Sequence, residues 1–491
     1  MAAVDSLPFT HLFIDGQQRP ASDHKFFAIR NPYTRNVVGY AAAASKQDCL
    51  DAIETADKAF MQWQHSTLEQ RRTIFLKVAD LLLTERYGQK IAAAVNAESA
   101  AADHVIQYNI FASASAVRDI ACATSELAGR ILPSQVPGGQ VFIQRRPKGV
   151  IFGISPWNVP ILLSVRAVGI PILCGNTAIL KCSEATPRSQ AIVFELFQEA
   201  GLPNGVLNFI SMDRDDASEL TKDIIAHPLV RKINFTGSDV VGKIIAAEAA
   251  KHLKECILEL GGKAPVVVLN DADLPKAAKA IVSSALIHSG QACMSTERVL
   301  IQRKVSENLI PLIVELMMSM TVGDTSEKTG NLSSLFSEAS ASRIVEFIEE
   351  AKKDGAEVLV GDGKNDGAVI RPHILTGCRP GMKIWDRETF GPVLVISVAD
   401  TVEELISLAN ASDYSLAAGV WSGNLATAMN VAGRIRAGFT NINGPTVHIE
   451  GNKHFGLGGA SGYGRFDVES FTDMRWVVVH PDGPIQYPLV G

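Results

Sequence analysis

Hydrophobic positions along the chain change period several times, and each change marks an element. Residues 11–14 alternate and stop at the turn dipeptide Asp15-Gly16, and residues 37–40 follow the turn at Asn31-Pro32. Short strands are expected there. From Ser45 the spacing turns helical. Ile53, Ala56, Ala59, Phe60 and Trp63 share one face, with Ser45 placed as N-cap. The pattern predicts a second amphipathic helix over 68–85 and further helix over 89–128.

Gly138-Gly139 separates two strand-like pieces, the second over 140–146, and predicts a protruding hairpin. The run 474–479 is strand-like and needs a sheet edge to pair with. Between these lie alternating units: strand 150–154, helix 160–172, strand 177–181, helix 189–199, strand 206–210, strand 232–235, helix 242–252, and strands 256–260 and 264–269. A second series follows residue 293, with strands at 299–302, 357–360, 393–397 and 418–420 and helices at 306–320, 339–354 and 401–410. Such alternation predicts an α/β fold with open, mostly parallel sheets, whose ligands bind beyond the carboxyl ends of the strands.

Bulk properties narrow the function classes. The chain has 491 residues, is 47% hydrophobic and 20% charged, and carries a net charge of −6. That balance is ordinary for a globular protein and gives no reason to expect nucleic acid or membrane as a partner. The seven cysteines are scattered, and none forms a C-x-x-C pair. A disulfide framework or structural metal site is not expected, and a reducing compartment is. The opening Met1-Ala2-Ala3-Val4-Asp5 lacks a secretory pattern, so the cytoplasm is the expected location.

Several stretches carry chemistry. His288-Ser289-Gly290-Gln291-Ala292-Cys293 places a thiol among small and polar neighbours after a helix-like run. A single Cys is more often a small buried hydrophobe than a nucleophile. Pro156-Trp157-Asn158-Val159-Pro160 holds Asn158 between two fixed φ angles. Its amide could steady an oxyanion or satisfy its own turn. Lys181 and Glu184 follow a strand, where a carboxylate suits ribose hydroxyls; a solvated surface pair is the plainer reading. Gly237 and Ser238 open a helix that could receive a pyrophosphate, or form a simple glycine corner. Glu259 ends an apolar strand before Gly261-Gly262, where apolar surroundings favour a base working near neutrality. A buried ion-pair partner is the alternative. Glu388-Thr389-Phe390-Gly391-Pro392 offers another carboxylate on a tight turn.

Taken in order, Pro-Trp-Asn, Lys-x-x-Glu, Gly-Ser-x-x-x-Gly, Glu-Leu-Gly-Gly-Lys, Gly-Gln-x-Cys and Glu-x-Phe-Gly-Pro resemble the aldehyde dehydrogenase superfamily along nearly the whole chain. Cys293-Met294-Ser295-Thr296-Glu297-Arg298 and Gly459-Ala460-Ser461-Gly462-Tyr463-Gly464-Arg465-Phe466 resemble its vanillin, benzaldehyde and salicylaldehyde dehydrogenase-like branch.

The resemblance implies a Rossmann-like cofactor domain (1–128 and 148–261), an α/β catalytic domain (262–470) and a small β oligomerisation hairpin (129–147 and 471–491). It implies oxidation of an aldehyde, with Cys293 as nucleophile, Asn158 in the oxyanion hole and Glu259 as base. Trp157, Lys181, Glu184, Gly237, Ser238, Glu388 and Phe390 are the implied cofactor contacts. NAD is the expected cofactor and NADP the alternative, because Glu184 would repel a 2′-phosphate. Val159, Leu162, Arg166, Met294 and Phe455 are the expected substrate contacts, Arg166 through a polar or acidic group of the substrate, with pairing to a structural carboxylate as the alternative. No metal is implied, and a homodimer or homotetramer is expected. A CoA-acylating enzyme or a non-catalytic binding protein on the same fold are the competing functions. The chain departs from the family pattern at Asp239, at Cys182 and over residues 454–459. Asp239 is expected to oppose a nearby pyrophosphate.

Overall fold

The computed structural model describes residues 7–448, 458–483 and 489–490. The alternating runs become two large sheets among these residues. The first has eight strands. Its parallel centre runs Glu255–Glu259, Val230–Thr236, Val150–Ile154, Thr177–Lys181, Leu207–Ile210. Antiparallel strands close both edges, Gly462–Tyr463 on one side and Leu12–Ile14 with Gln17–Arg19 on the other. Chain order reverses between Val150–Ile154 and Val230–Thr236, which is where an open α/β sheet forms a crevice.

Helices cover both faces of this sheet, so its central strands are buried throughout. Residues 11–14 were expected to alternate between core and solvent. Instead Leu12, Phe13 and Ile14 are all buried. Leu12 and Ile14 join one core cluster and Phe13 the other. The period of two here divides residues between two covered faces.

The second sheet has seven strands, ordered Glu357–Val360, His373–Thr376, Val393–Ala399, Thr296–Gln302, Ala264–Val268, Ala417–Trp421, Phe439–Ile442. All pairs are parallel except the one at the Glu357–Val360 edge. Glu259 ends the first sheet and Ala264 begins the second. Carboxyl ends of the first sheet therefore meet amino ends of the second, and the chemistry-bearing stretches collect at that junction.

A third, antiparallel sheet joins Arg130–Pro133, Gln140–Pro147 and Thr472–Val479, with Trp476 opposite Ile143. The expected helix over 68–85 ends at Leu82. The Thr84 hydroxyl then accepts from the Tyr87 N–H and caps a separate helix, Glu85–Ser99. The helical stretch over 89–128 is likewise broken at Ala100, which has φ +50°, before Asp103–Cys122 begins. Among the described residues no helix is long and apolar enough to cross a membrane.

Candidate active site

The loop carrying Cys293 is shaped by three successive left-handed residues: His288 at φ 49°, Ser289 at 56° and Gly290 at 79°. A Cβ on Gly290 would overlap the Gly391 carbonyl, so glycine is required there. The Ser289 hydroxyl donates to the Ser333 carbonyl (2.9 Å) and accepts the Ser333 N–H (3.1 Å). Gln291 is buried; its amide donates to the His288 carbonyl and accepts the Phe336 N–H. These bonds fix the turn ahead of the thiol.

Cys293 is partly buried, and its Sγ donates to Glu259 Oε1 at 3.2 Å. Burial, and then the Glu259 carboxylate, push the thiol well above its ordinary range. Glu259 is 1% exposed, and its other oxygen accepts from Arg166 Nη1 at 3.2 Å. The Arg166 guanidinium also lies over the Phe466 ring, 5.3 Å from its centre. Of the two readings of this cation, the carboxylate partner is present as Glu259, and Arg166 also lines the cavity.

Asn158 is buried, and its Nδ2 donates to the Gln291 carbonyl at 3.0 Å. That bond leaves the second amide hydrogen for another acceptor. The helix Pro160–Leu173 begins immediately afterwards with Pro at its first position. Asn109 Oδ1 accepts the Ile161 N–H (3.2 Å) and serves as the cap that Val159 cannot provide.

Asn158, Arg166, Glu259 and Cys293 line one cavity, with about 620 Å³ of empty space including its mouth. Val159, Leu162 and Met294, expected as substrate contacts, line it too. Most of the remaining wall is apolar: Val105, Leu163, Ile287, Leu416 and Val447, with Tyr108 and His288 among them. Motif reading missed Val105 and Tyr108. They sit on Asp103–Cys122 and reach the cavity only through helix packing. Phe455 falls outside the described residues, as does most of the 454–459 loop.

Gly261 and Gly262 follow Glu259 in the link between the two large sheets. They admit close neighbours. A Cβ on Gly261 would overlap the Glu388 carboxylate, and one on Gly262 the Cys293 carbonyl. Glu388 Oε1 accepts the Gly262 N–H at 2.8 Å. Burial and the nearby charge of Glu297 push the Glu388 carboxyl up to about 8. Phe390 has φ +51° and meets Trp157 edge-on, ring centres 5.9 Å apart. Trp157 stacks on Phe336 at 4.6 Å.

Lys181 ends its strand, paired in register with Ile154, and Glu184 is half-buried just beyond. Gly237 follows strand Val230–Thr236 and donates its N–H to the Glu259 carbonyl (3.1 Å). The Ser238 hydroxyl caps helix Asp239–Lys251 by accepting the Val241 N–H. Asp239 does not stand as an uncompensated charge. It is 6% exposed and pairs with Arg387 (3.1 Å) and Lys243 (3.4 Å).

A thiol, a carboxylate on it and an amide beside it, on the rim of a doubly wound sheet, fit acyl transfer through sulfur. The aldehyde dehydrogenase family profile matches residues 19–477. The chain belongs to the aldehyde dehydrogenase family. This aldehyde dehydrogenase is 39% identical to a vanillin dehydrogenase of Pseudomonas fluorescens over 482 residues, 97% of this chain and 99% of that one. It is 32% identical to a benzaldehyde dehydrogenase [NAD(+)] of Pseudomonas putida over 467 residues, 94% of each. A crystal structure of a salicylaldehyde dehydrogenase from Pseudomonas putida G7, complexed with salicylaldehyde, superposes with a TM-score of 0.94 at 36% identity. The match covers 98% of this chain and 100% of that one.

Proposed function

We propose that this aldehyde dehydrogenase oxidises an aromatic aldehyde to its carboxylic acid with NAD, NADP being the alternative cofactor. The observation that carries the reading is Cys293 Sγ donating to Glu259 Oε1 on a cavity wall shared with Asn158. The Cys293 thiolate, its proton lost to water, attacks the carbonyl carbon, giving a thiohemiacetal. Asn158 Nδ2 and the Cys293 N–H steady its oxygen. A bound dinucleotide would supply the hydride acceptor, and loss of hydride from that carbon would leave a thioester on Cys293. Glu259 then takes a proton from water, which cleaves the thioester and frees the acid and the thiol. A CoA-acylating enzyme would need no base here, so Glu259 favours hydrolysis.

The residues present suit a dinucleotide. Helix Asp239–Lys251 offers first-turn N–H groups to a pyrophosphate beside Ser238 and Gly237. Its exposed Val240, Val241 and Ile244 give an apolar wall for a flat base. Lys181, at the end of its strand, and the half-buried Glu184 support a reading as the adenosine-ribose contacts. Glu388, bonded to the Gly262 N–H, and Phe390, edge-on to Trp157, support a reading of these three as the nicotinamide-side contacts. An apolar cavity with Val159, Leu162 and Met294 near the thiol suits an aryl ring.

Residues 1–128 and 148–261 would form the cofactor domain and 262–470 the catalytic domain. Residues 129–147 and 471–491 would join subunits of a cytoplasmic homodimer or homotetramer. Exposed Ile131, Met474 and Trp476 on the three-stranded sheet support that last reading.

The test is steady-state NADH or NADPH formation with vanillin, salicylaldehyde, benzaldehyde, a long aliphatic aldehyde and a semialdehyde. Aromatic aldehydes with NAD+ are expected to give the highest kcat/KM. A clear preference for the aliphatic aldehyde or semialdehyde would overturn the substrate assignment.

A further inference from the structure

Glu297 lies in the second position of strand Thr296–Gln302, four residues after the thiol, and is 2% exposed. No step of the proposed reaction uses it. Yet its carboxylate gathers an unusual set of donors. Lys263 Nζ donates to Oε2. The Thr389 N–H donates to both oxygens, at 3.0 and 3.2 Å, and the Thr389 hydroxyl donates at 2.6 Å. The Phe390 N–H donates at 3.2 Å. A neutral side chain could not accept from all of these with its ammonium partner beside it.

The bonded turn is the one that carries Glu388 and Phe390. Phe390 is held at φ +51°, a region that a bulky side chain adopts only when its surroundings impose it. Thr389, between them, is fully buried. The opposite side of the turn is gripped by the neighbouring backbone: the Gly262 N–H donates to Glu388 at 2.8 Å. Lys263 is itself fixed, because Arg298 Nε donates to its carbonyl at 3.0 Å. Residues 262–263 and 297–298 thus form a frame around the turn.

We propose that Glu297 is a positioning residue for the cofactor. It locks the Thr389–Phe390 backbone so that Glu388 and Phe390 face the nicotinamide side before the cofactor binds. The inference rests on the reading of Glu388 and Phe390 as contacts on that side.

The test is NADH binding by fluorescence titration, in the whole enzyme and with no aldehyde present. Glu297→Gln is expected to weaken NADH about tenfold, the loss of one charge-assisted set of bonds. It raises KM for NAD+ more than it lowers kcat, and cofactor-free alkylation of Cys293 changes far less. Glu297→Gln leaves Lys263 as a buried unpaired charge, so a second variant is needed. Lys263→Met with Glu297→Leu removes both charges as a pair, which buried cores tolerate, and still lacks the lock. It is expected to fold and to bind NADH weakly. Normal NADH affinity in this double variant overturns the inference, as does an equal loss of Cys293 alkylation. Glu388→Ala is the control: normal NADH affinity there overturns the underlying reading.

Discussion

Replacing Glu259 with Gln is expected to make Cys293 more reactive toward iodoacetamide while stopping aldehyde turnover. In the folded chain burial and then the Glu259 charge hold the thiol well above its ordinary range. Sγ and Oε1 lie 3.2 Å apart. With an effective permittivity of about 20, two unit charges at that distance would interact by about 5 kcal/mol, an upper bound. Neighbouring charges typically move a titration by about 1–3 units. Gln keeps a carbonyl acceptor for the S–H and loses only the charge, so a downward shift of about one unit is the conservative figure. One unit is about 1.4 kcal/mol, a roughly tenfold larger thiolate fraction wherever the thiol is mostly protonated.

The assay is pseudo-first-order alkylation from about pH 6 to 9, below the range where the buried thiol titrates. Cys293→Ala serves as blank, and the modified peptide is identified by mass. For the unaltered chain the logarithm of the rate climbs with pH at unit slope and reaches no plateau. Glu259→Gln runs about tenfold above it at each pH. Slower alkylation in Glu259→Gln over the whole range would refute the reasoning. It would mean that proton acceptance by the carboxylate outweighs its charge.

Other parts of the structure give sharper handles on binding, assembly and stability. Arg387→Ala leaves the Asp239 carboxylate, among the described residues, with only the exposed Lys243 as ion-pair partner; KM for NAD+ is expected to rise roughly fivefold, about 1 kcal/mol, with kcat little changed. Trp476 is 62% exposed on the three-stranded sheet, and Trp476→Glu is expected to yield monomers by light scattering, an unchanged oligomer speaking against that interface. Asn176 is fully buried; it accepts the Lys148 and Gly149 N–H groups and donates to the Pro171 and Phe471 carbonyls. Asn176→Ala is expected to cost about 3 kcal/mol or more, read as a lower thermal midpoint and faster thermal inactivation.

How far the fold could be read in advance depended on burial. Strands Val150–Ile154 and Thr177–Lys181 are buried at every position, and continuous apolar runs announce them. Phe439–Ile442 is only half-buried and His373–Thr376 begins with a polar residue, so neither has a clear period. Both are strands because parallel neighbours complete their hydrogen bonds. The helix Ala217–Ala226 passed unnoticed between turn-rich stretches, with no side-chain cap to mark its start.

At the site, the motifs placed Cys293, Asn158 and Glu259 in chain order, and folding brought them to one cavity. What they could not indicate is pairing between distant residues. The Arg166 guanidinium meets Glu259, and Asp239 is neutralised by Arg387, far along the chain. Gly261-Gly262 is small to admit the Glu388 carboxylate and the Cys293 carbonyl, and nothing local to that dipeptide reveals it. Val105 and Tyr108 lack any motif, since a cavity wall is made by packing and not by spacing.

The most direct test of the proposed chemistry is intact-protein and peptide mass spectrometry of Glu259→Gln, quenched after mixing with NAD+ and benzaldehyde. Without the base, the thioester should form and persist. The account predicts one benzoyl group per chain on the peptide carrying Cys293, appearing with a matching burst of NADH. A burst of NADH with no acyl group on Cys293, or with the group on another residue, would contradict it.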